Sequence, residues 1–149
     1  MIASDLMTRD VIMVKPEESI ENVARLLIDN KISGIPVVND NQQILGIITE
    51  RDLIIKAVDL KVPFYITLFD SIIFLENPIR FNNELKKYTA LQVKDAMTKN
   101  VIVVEEDTPV SEVAELMKRR NINRVPVIKN GKLVGIVTRN DILKSLVIG

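Results

Sequence analysis

Two four-residue segments hold most of the chemistry that this sequence offers. Thr49-Glu50-Arg51-Asp52 and Thr138-Arg139-Asn140-Asp141 each set a hydroxyl three residues before a carboxylate, directly after an apolar run. A carboxylate can accept two hydrogen bonds from a cis-diol, a paired geometry that single hydroxyls do not match. A helix starting at either Thr aims its first free N–H groups at whatever lies in front, and such a terminus favours phosphate. The same spacing fits a capping box, in which the Thr hydroxyl caps the helix and the acid bonds back to the Thr N–H. Spacing alone leaves both roles open, and for the Thr both can hold together.

Composition removes many other chemistries. The chain has no Cys and no His, which excludes zinc sites built on them, disulfides, and thiol or imidazole nucleophiles. An enzyme would have to work with carboxylates, lysine or a carboxylate-held metal. No paired-carboxylate site can be assembled, so neither catalysis nor a metal site is expected. Twenty Lys and Arg balance 20 Asp and Glu, whereas a protein that grips nucleic acid through its phosphates usually carries a basic excess. A nucleic-acid-binding module using the basic Lys118–Arg124 region is the alternative reading, recognisable by an affinity that falls steeply with salt. At 149 residues and 47% hydrophobic the chain has material for a core, a domain of this size burying about 70% of its unfolded surface. No basic segment followed by a long apolar run opens the sequence, so a cytoplasmic location is expected. The most apolar stretch, Phe64 to Leu75, includes Asp70 and is too short to span a bilayer.

The elements that must position the two segments also come twice, about 90 residues apart. Asp5-Leu6-Met7-Thr8 returns as Asp95-Ala96-Met97-Thr98, and Val11-Ile12-Met13-Val14 as Val101-Ile102-Val103-Val104. Ile32-Ser33-Gly34-Ile35-Pro36-Val37-Val38 returns as Ile122-Asn123-Arg124-Val125-Pro126-Val127-Ile128, and Gly46–Asp52 as Gly135–Asp141. Each copy reads as short strand, helix, strand, hairpin, strand, helix. The β-branched runs ending at Val14 and Val104 suit buried strands. Ile20, Val23, Ala24 and Leu27 recur at helical spacing, as do Val110, Val113, Ala114 and Met117. Thr108 before Pro109 predicts a capped helix start, and Asn130-Gly131 predicts a type I′ hairpin turn. Halves of about 50 residues would be marginal alone, so their sheets should pack on each other about a pseudo-twofold axis, with a cleft between related copies. The expected fold is therefore mixed α+β/α/β. Repeat 1 is expected over residues 1–58, an insertion over 59–89 and repeat 2 over 90–149.

All four Phe and both Tyr fall in that insertion. Leu68, Phe69, Ile72, Ile73 and Leu75 fit helical spacing, and Asn77-Pro78 predicts a restart into a second helix carrying Phe81, Leu85 and Tyr88. Such an aromatic-rich excess over a plain linker reads as a lid, as a contact surface for a client protein, or as a surface for a second subunit built on Phe69 and Phe74.

The order Asp-x-Met-Thr, apolar strand, amphipathic helix, apolar-Pro-Val, then Gly-apolar-apolar-Thr-x-x-Asp, present twice, resembles the tandem CBS (cystathionine-β-synthase) domain arrangement, often called a Bateman module. The resemblance implies a non-catalytic module that senses an adenosine-containing small molecule: AMP, ADP, ATP or S-adenosylmethionine, with no cofactor required. It further implies a homodimer, since such modules often form disc-like dimers. By motif position, one cleft would take Thr49, Arg51 and Asp52 with Thr98, Ile102, Ile122, Asn123, Arg124, Val125 and Pro126. The other would take Thr138, Arg139 and Asp141 with Thr8, Ile12, Ile32, Ser33, Gly34, Ile35 and Pro36. The Asp would meet the ribose hydroxyls and the apolar residues the base. Ile35 and Val125 precede proline, which biases them to extended backbone and turns their peptide groups toward a base edge.

The copies differ in charge. Residues 1–54 carry 5 basic and 9 acidic groups, and residues 93–149 carry 10 and 7, a net of −4 against +3. Arg124 is the extra cation of the cleft expected around Asp52, and a guanidinium holds phosphate through two parallel hydrogen bonds, so that cleft is expected to favour the more highly phosphorylated ligand.

Overall fold

A computed structural model of the chain describes residues 1–60, 65–68, 71–74, 86–88 and 90–148. In chain order the elements are α1 (Ala3–Leu6), α2 (Ile20–Asn30), β1 (Gly34–Val38), β2 (Ile44–Thr49), α3 (Glu50–Asp59), β3 (Tyr65–Leu68) and β4 (Ser71–Phe74). Then follow α4 (Val93–Ala96), β5 (Val104–Glu105), α5 (Val110–Arg120), β6 (Arg124–Lys129), β7 (Lys132–Thr138) and α6 (Arg139–Ile148). They divide into two compact units: Met1–Lys15 with Pro36–Ile47 and Lys99–Gly149, and Pro16–Ile35 with Ile48–Thr98. Each unit takes pieces from both repeats.

In the first unit the opening segment of repeat 1 docks on repeat 2. The Ala3 N–H donates to the Thr108 carbonyl at 2.8 Å, the Ser4 N–H to the Glu106 carbonyl at 2.9 Å, and the Val110 N–H to the Met1 carbonyl at 3.0 Å. Thr8 exchanges backbone bonds with Ile136 at 2.9 and 3.0 Å. Ala3 and Met7 thereby join a core of Val104, Val113, Met117, Val125, Val127 and Val137. Gly135 admits the Met7 side chain, which a Cβ at that position would meet. β5 runs parallel to β6 through Val104↔Val127, and β6 pairs antiparallel with β7 from Arg124↔Thr138 to Lys129↔Lys132. The turn between them holds Asn130 and Gly131 at φ 52° and 77°, the left-handed pair that a type I′ hairpin demands.

The second unit makes the reciprocal exchange. The Val93 N–H donates to the Glu18 carbonyl at 2.8 Å, the Lys94 N–H to the Pro16 carbonyl at 3.0 Å, and the Ile20 N–H to the Leu91 carbonyl at 3.3 Å. The bridge Ser19↔Gln92 here answers Ile2↔Pro109 in the first unit, as a duplicated sequence requires. The helical stripes fall where their spacing puts them: Ile20, Val23 and Leu27 of α2 are buried, as are Val113 and Met117 of α5. Both helices end on a left-handed residue, Lys31 and Asn121, which lets the cap N–H reach back to the last turn.

Three local expectations are corrected. The segment in which Leu68 to Leu75 fit helical spacing contains an antiparallel strand pair, Tyr65↔Phe74 to Leu68↔Ser71. Its β-branched and aromatic residues suit a pleated surface, and a dense apolar run satisfies helical spacing whichever period it adopts. Phe69 and the expected restart at Asn77-Pro78 with Phe81 and Leu85 lie outside the described residues. Thr108 does not cap α5. Its hydroxyl accepts the Glu105 N–H at 3.1 Å, and Pro109 is the N-cap without a side-chain bond. The first free N–H of that helix, on Val110, goes instead to the docked N-terminal segment, so no side-chain cap is needed for it. Finally, the runs at 11–14 and 101–104 pair only near their ends, Val14 with Val37 and Val104 with Val127. Val11 to Met13 and Val101 to Val103 are half-buried instead of buried.

Candidate functional site

Both Thr-x-x-Asp segments stand where a strand turns into a helix. At the start of α3 the Thr49 N–H and hydroxyl both donate to Asp52 Oδ2, at 2.9 and 3.0 Å, while the Asp52 N–H donates to Thr49 Oγ1 at 3.2 Å. At the start of α6 the Thr138 N–H and hydroxyl donate to Asp141 Oδ2 at 2.8 and 3.0 Å, and the Asp141 N–H donates to Thr138 Oγ1 at 3.3 Å. The capping role is therefore realised in both copies. It does not consume the acid, because the bonds that reach each carboxylate both end on Oδ2 and leave Oδ1 as an acceptor held in a fixed direction. Both Asp side chains are half-buried, accessible yet partly shielded.

The two Oδ1 atoms differ. Asp52 Oδ1 accepts the Thr98 hydroxyl at 3.1 Å, whereas among the described residues Asp141 Oδ1 accepts none. Thr8, the repeat counterpart of Thr98, is exposed and is held through its backbone to Ile136.

The remaining site candidates distribute between the units. Thr8, Ile12, Pro36, Ile102, Ile122, Asn123, Arg124, Val125, Pro126, Thr138, Arg139 and Asp141 lie in the first. Ile32, Ser33, Gly34, Ile35, Thr49, Arg51, Asp52 and Thr98 lie in the second. Ile35 and Val125 are wholly buried, so their side chains belong to the core and only their backbone is left for a ligand. Ile12, Ile32, Ile102 and Ile122 are half-buried, the exposure that a wall for an apolar ring requires. Arg124 faces Thr138 in the β6–β7 register, and Arg51 is exposed on the first turn of α3.

One contact escaped the sequence. The Arg139 guanidinium donates to Asn123 Oδ1, beside a backbone bond from the Arg139 N–H to the Asn123 carbonyl at 2.8 Å. The other copy keeps the backbone bond, Glu50 N–H to the Ser33 carbonyl at 3.0 Å, with different side chains. Aligning the repeats pairs Glu50 with Arg139 and Ser33 with Asn123, but only the strand register shows that they meet. Among the described residues no group of three or more acidic side chains is placed to hold a metal ion, and no buried side-chain nitrogen or oxygen lacks a partner.

Comparison with known proteins gives the same outline. The family model described as CBS domain matches twice, at residues 3–59 and 93–148. An uncharacterized protein of Methanocaldococcus jannaschii is 34% identical over 99% of this chain and 92% of its own length. Among solved structures, CBSX2 in complex with AMP superposes with a TM-score of 0.74 at 26% identity, covering 99% of this chain and 96% of that one. A CBS domain pair in complex with 5-methylthioadenosine and S-adenosyl-L-methionine superposes with a TM-score of 0.71 at 29% identity, covering 98% and 95%.

Proposed function

The chain belongs to the CBS-domain family as a tandem pair, and from that premise we propose that it is a non-catalytic sensor of an adenosine-containing small molecule. The observation that carries this reading is the pair of box carboxylates, each fixed by its own helix start through Oδ2 and keeping Oδ1 for an outside donor. The cis-diol of a ribose supplies such donors. The Arg124↔Thr138 register and the Arg139–Asn123 and Glu50–Ser33 backbone bonds set each box beside the pre-proline segment of its own repeat. Asp52 would therefore work with Thr49, Arg51 and residues 32–35, and Asp141 with Thr138, Arg139, Thr8, Ile12, Ile102 and residues 122–126. The half-buried isoleucines offer the base an apolar wall, and the peptide groups before Pro36 and Pro126 offer it hydrogen bonds. AMP, ADP, ATP and S-adenosylmethionine are the candidate ligands, and the structural relatives solved with AMP and with S-adenosyl-L-methionine support the class.

An exposed apolar helix face accompanies each box. Ile54 and Val58 on α3 are 60% and 59% exposed, and Leu146 and Val147 on α6 are 77% and 86% exposed. Apolar side chains this open on two helices favour contact with another chain, and a second copy of this protein is the partner we propose, with a client protein as the alternative occupant. Lys118, Arg119 and Arg120 sit in the last turn of α5, where cations complement the helix dipole. That role accounts for the basic cluster without nucleic acid. No described helix is long and apolar enough to cross a membrane, and we place the protein in the cytoplasm.

Calorimetry and melting against AMP, ADP, ATP, S-adenosylmethionine, GMP and CMP test the reading. At least one adenosine compound should bind at micromolar concentration and ahead of GMP and CMP. A ligand about a hundredfold above its Kd stabilises by roughly 2.7 kcal/mol, a shift of several degrees in Tm. No heat and no shift for the whole panel at millimolar ligand would overturn it.

A further inference from the structure

Counting lone pairs at the two carboxylates separates the sites. An ionised carboxylate offers about four acceptor positions, two on each oxygen. At Asp141 the Thr138 N–H and hydroxyl fill Oδ2, and both positions on Oδ1 remain among the described residues. At Asp52 the Thr49 N–H and hydroxyl fill Oδ2, and the Thr98 hydroxyl takes one position on Oδ1. One position is left there, and a cis-diol brings two donors.

We propose that Thr98 is an internal competitor that makes the Asp52 site the weaker of the two, so that Asp141 fills first as ligand rises. The inference rests on the nucleotide reading above. The direction of the bond is fixed by chemistry, since a carboxylate at neutral pH only accepts and the hydroxyl must donate. A diol can engage both Oδ1 positions of Asp52 only when the Thr98 side chain turns away, and that exchange costs one hydrogen bond at each binding event. Thr98 is exposed, so its hydroxyl can turn to water. The handicap is therefore a reduced affinity, not a blocked site. Two sites of unequal affinity extend the concentration range over which a single chain responds.

The experiment isolates each site with Asp→Asn, because the amide oxygen still accepts from the Thr N–H and keeps the cap, while the amide NH2 replaces the acceptor at Oδ1. AMP is titrated calorimetrically into Asp52→Asn, which keeps the Asp141 site, and into Asp141→Asn, which keeps the Asp52 site. The Asp141 site should bind about fivefold more tightly, the equivalent of one net hydrogen bond. Adding Thr98→Val to Asp141→Asn should tighten AMP by about the same factor, and Thr98→Ala should do likewise, which guards against a packing effect of the valine. Unchanged or weakened binding in both double variants would overturn the inference, weakening because it would make Thr98 a ligand-holding residue. Equal affinities in the two single variants would overturn it as well. Absence of AMP binding by the unaltered chain, with the other adenosine compounds equally silent, would instead strike the nucleotide reading and the inference with it.

Discussion

The box at Asp52 and the box at Asp141 agree bond for bond in how they hold their carboxylates, yet their surroundings are not copies. Asp52 shares its second oxygen with Thr98, and the residue after its Thr is acidic, Glu50. In the Asp141 box that residue is Arg139, whose guanidinium is drawn to Asn123. The cap is local, set by four residues and a helix start, and duplication preserves it. What reaches the carboxylate from elsewhere depends on side chains that have diverged between repeats, and there the sites part.

The largest effect is expected from the carboxylates. Asp52→Asn and Asp141→Asn should each lower AMP affinity at their own site about ten- to a hundredfold, the range for a charge-assisted hydrogen bond. Melting temperature should change little, since both caps survive. Calorimetric stoichiometry reads this, and a double variant that still binds two AMP would remove the carboxylates from the site. A smaller effect should mark Arg124. The sequence assigns Arg124 to the Asp52 cleft, but the β6–β7 register sets it opposite Thr138 of the Asp141 box. Adding Arg124→Ala to Asp52→Asn should therefore weaken ATP relative to AMP by about tenfold, while the same change added to Asp141→Asn should leave the ATP-to-AMP ratio as it was. Equal effects in the two backgrounds would place Arg124 in neither cleft in particular.

The smallest effect tests the repeats away from the ligand. Ser19 caps α2 by accepting the Asn22 N–H at 3.1 Å, whereas Thr108 near the matching helix makes no such bond. Ser19→Ala should cost about 1 kcal/mol, and Thr108→Ala should cost less. Urea unfolding of both variants measures the difference, and equal losses would mean that the helix starts are held alike.

How much of this was legible beforehand follows the same division between local and distant. The duplicated boxes, the helical stripes of Val23 and Val113 and the Asn130-Gly131 turn could be read from residue order, because each is decided within one turn of chain. The missing Thr108 cap could not, because the N-terminal segment docks there from more than a hundred residues away and satisfies Val110. The Tyr65–Phe74 strand pair was missed because an unbroken apolar run matches either period. The place of Ile35 and Val125 before proline spoke only for their peptide groups, and that their side chains belong to the core had to come from the structure. Exposure is a property of packing that motif position does not carry. Thr98 was placed beside Asp52 by motif position alone, and its bond to Oδ1 needed coordinates.

The most direct measurement compares AMP with 2′-deoxy-AMP on the unaltered protein by calorimetry. With Asp52 and Asp141 each gripping both hydroxyls of its own ribose, removing one hydroxyl should lower affinity by about tenfold or more while base and phosphate contacts persist. Equal affinities for the two ligands would contradict the account, because the carboxylates would then have no diol to hold.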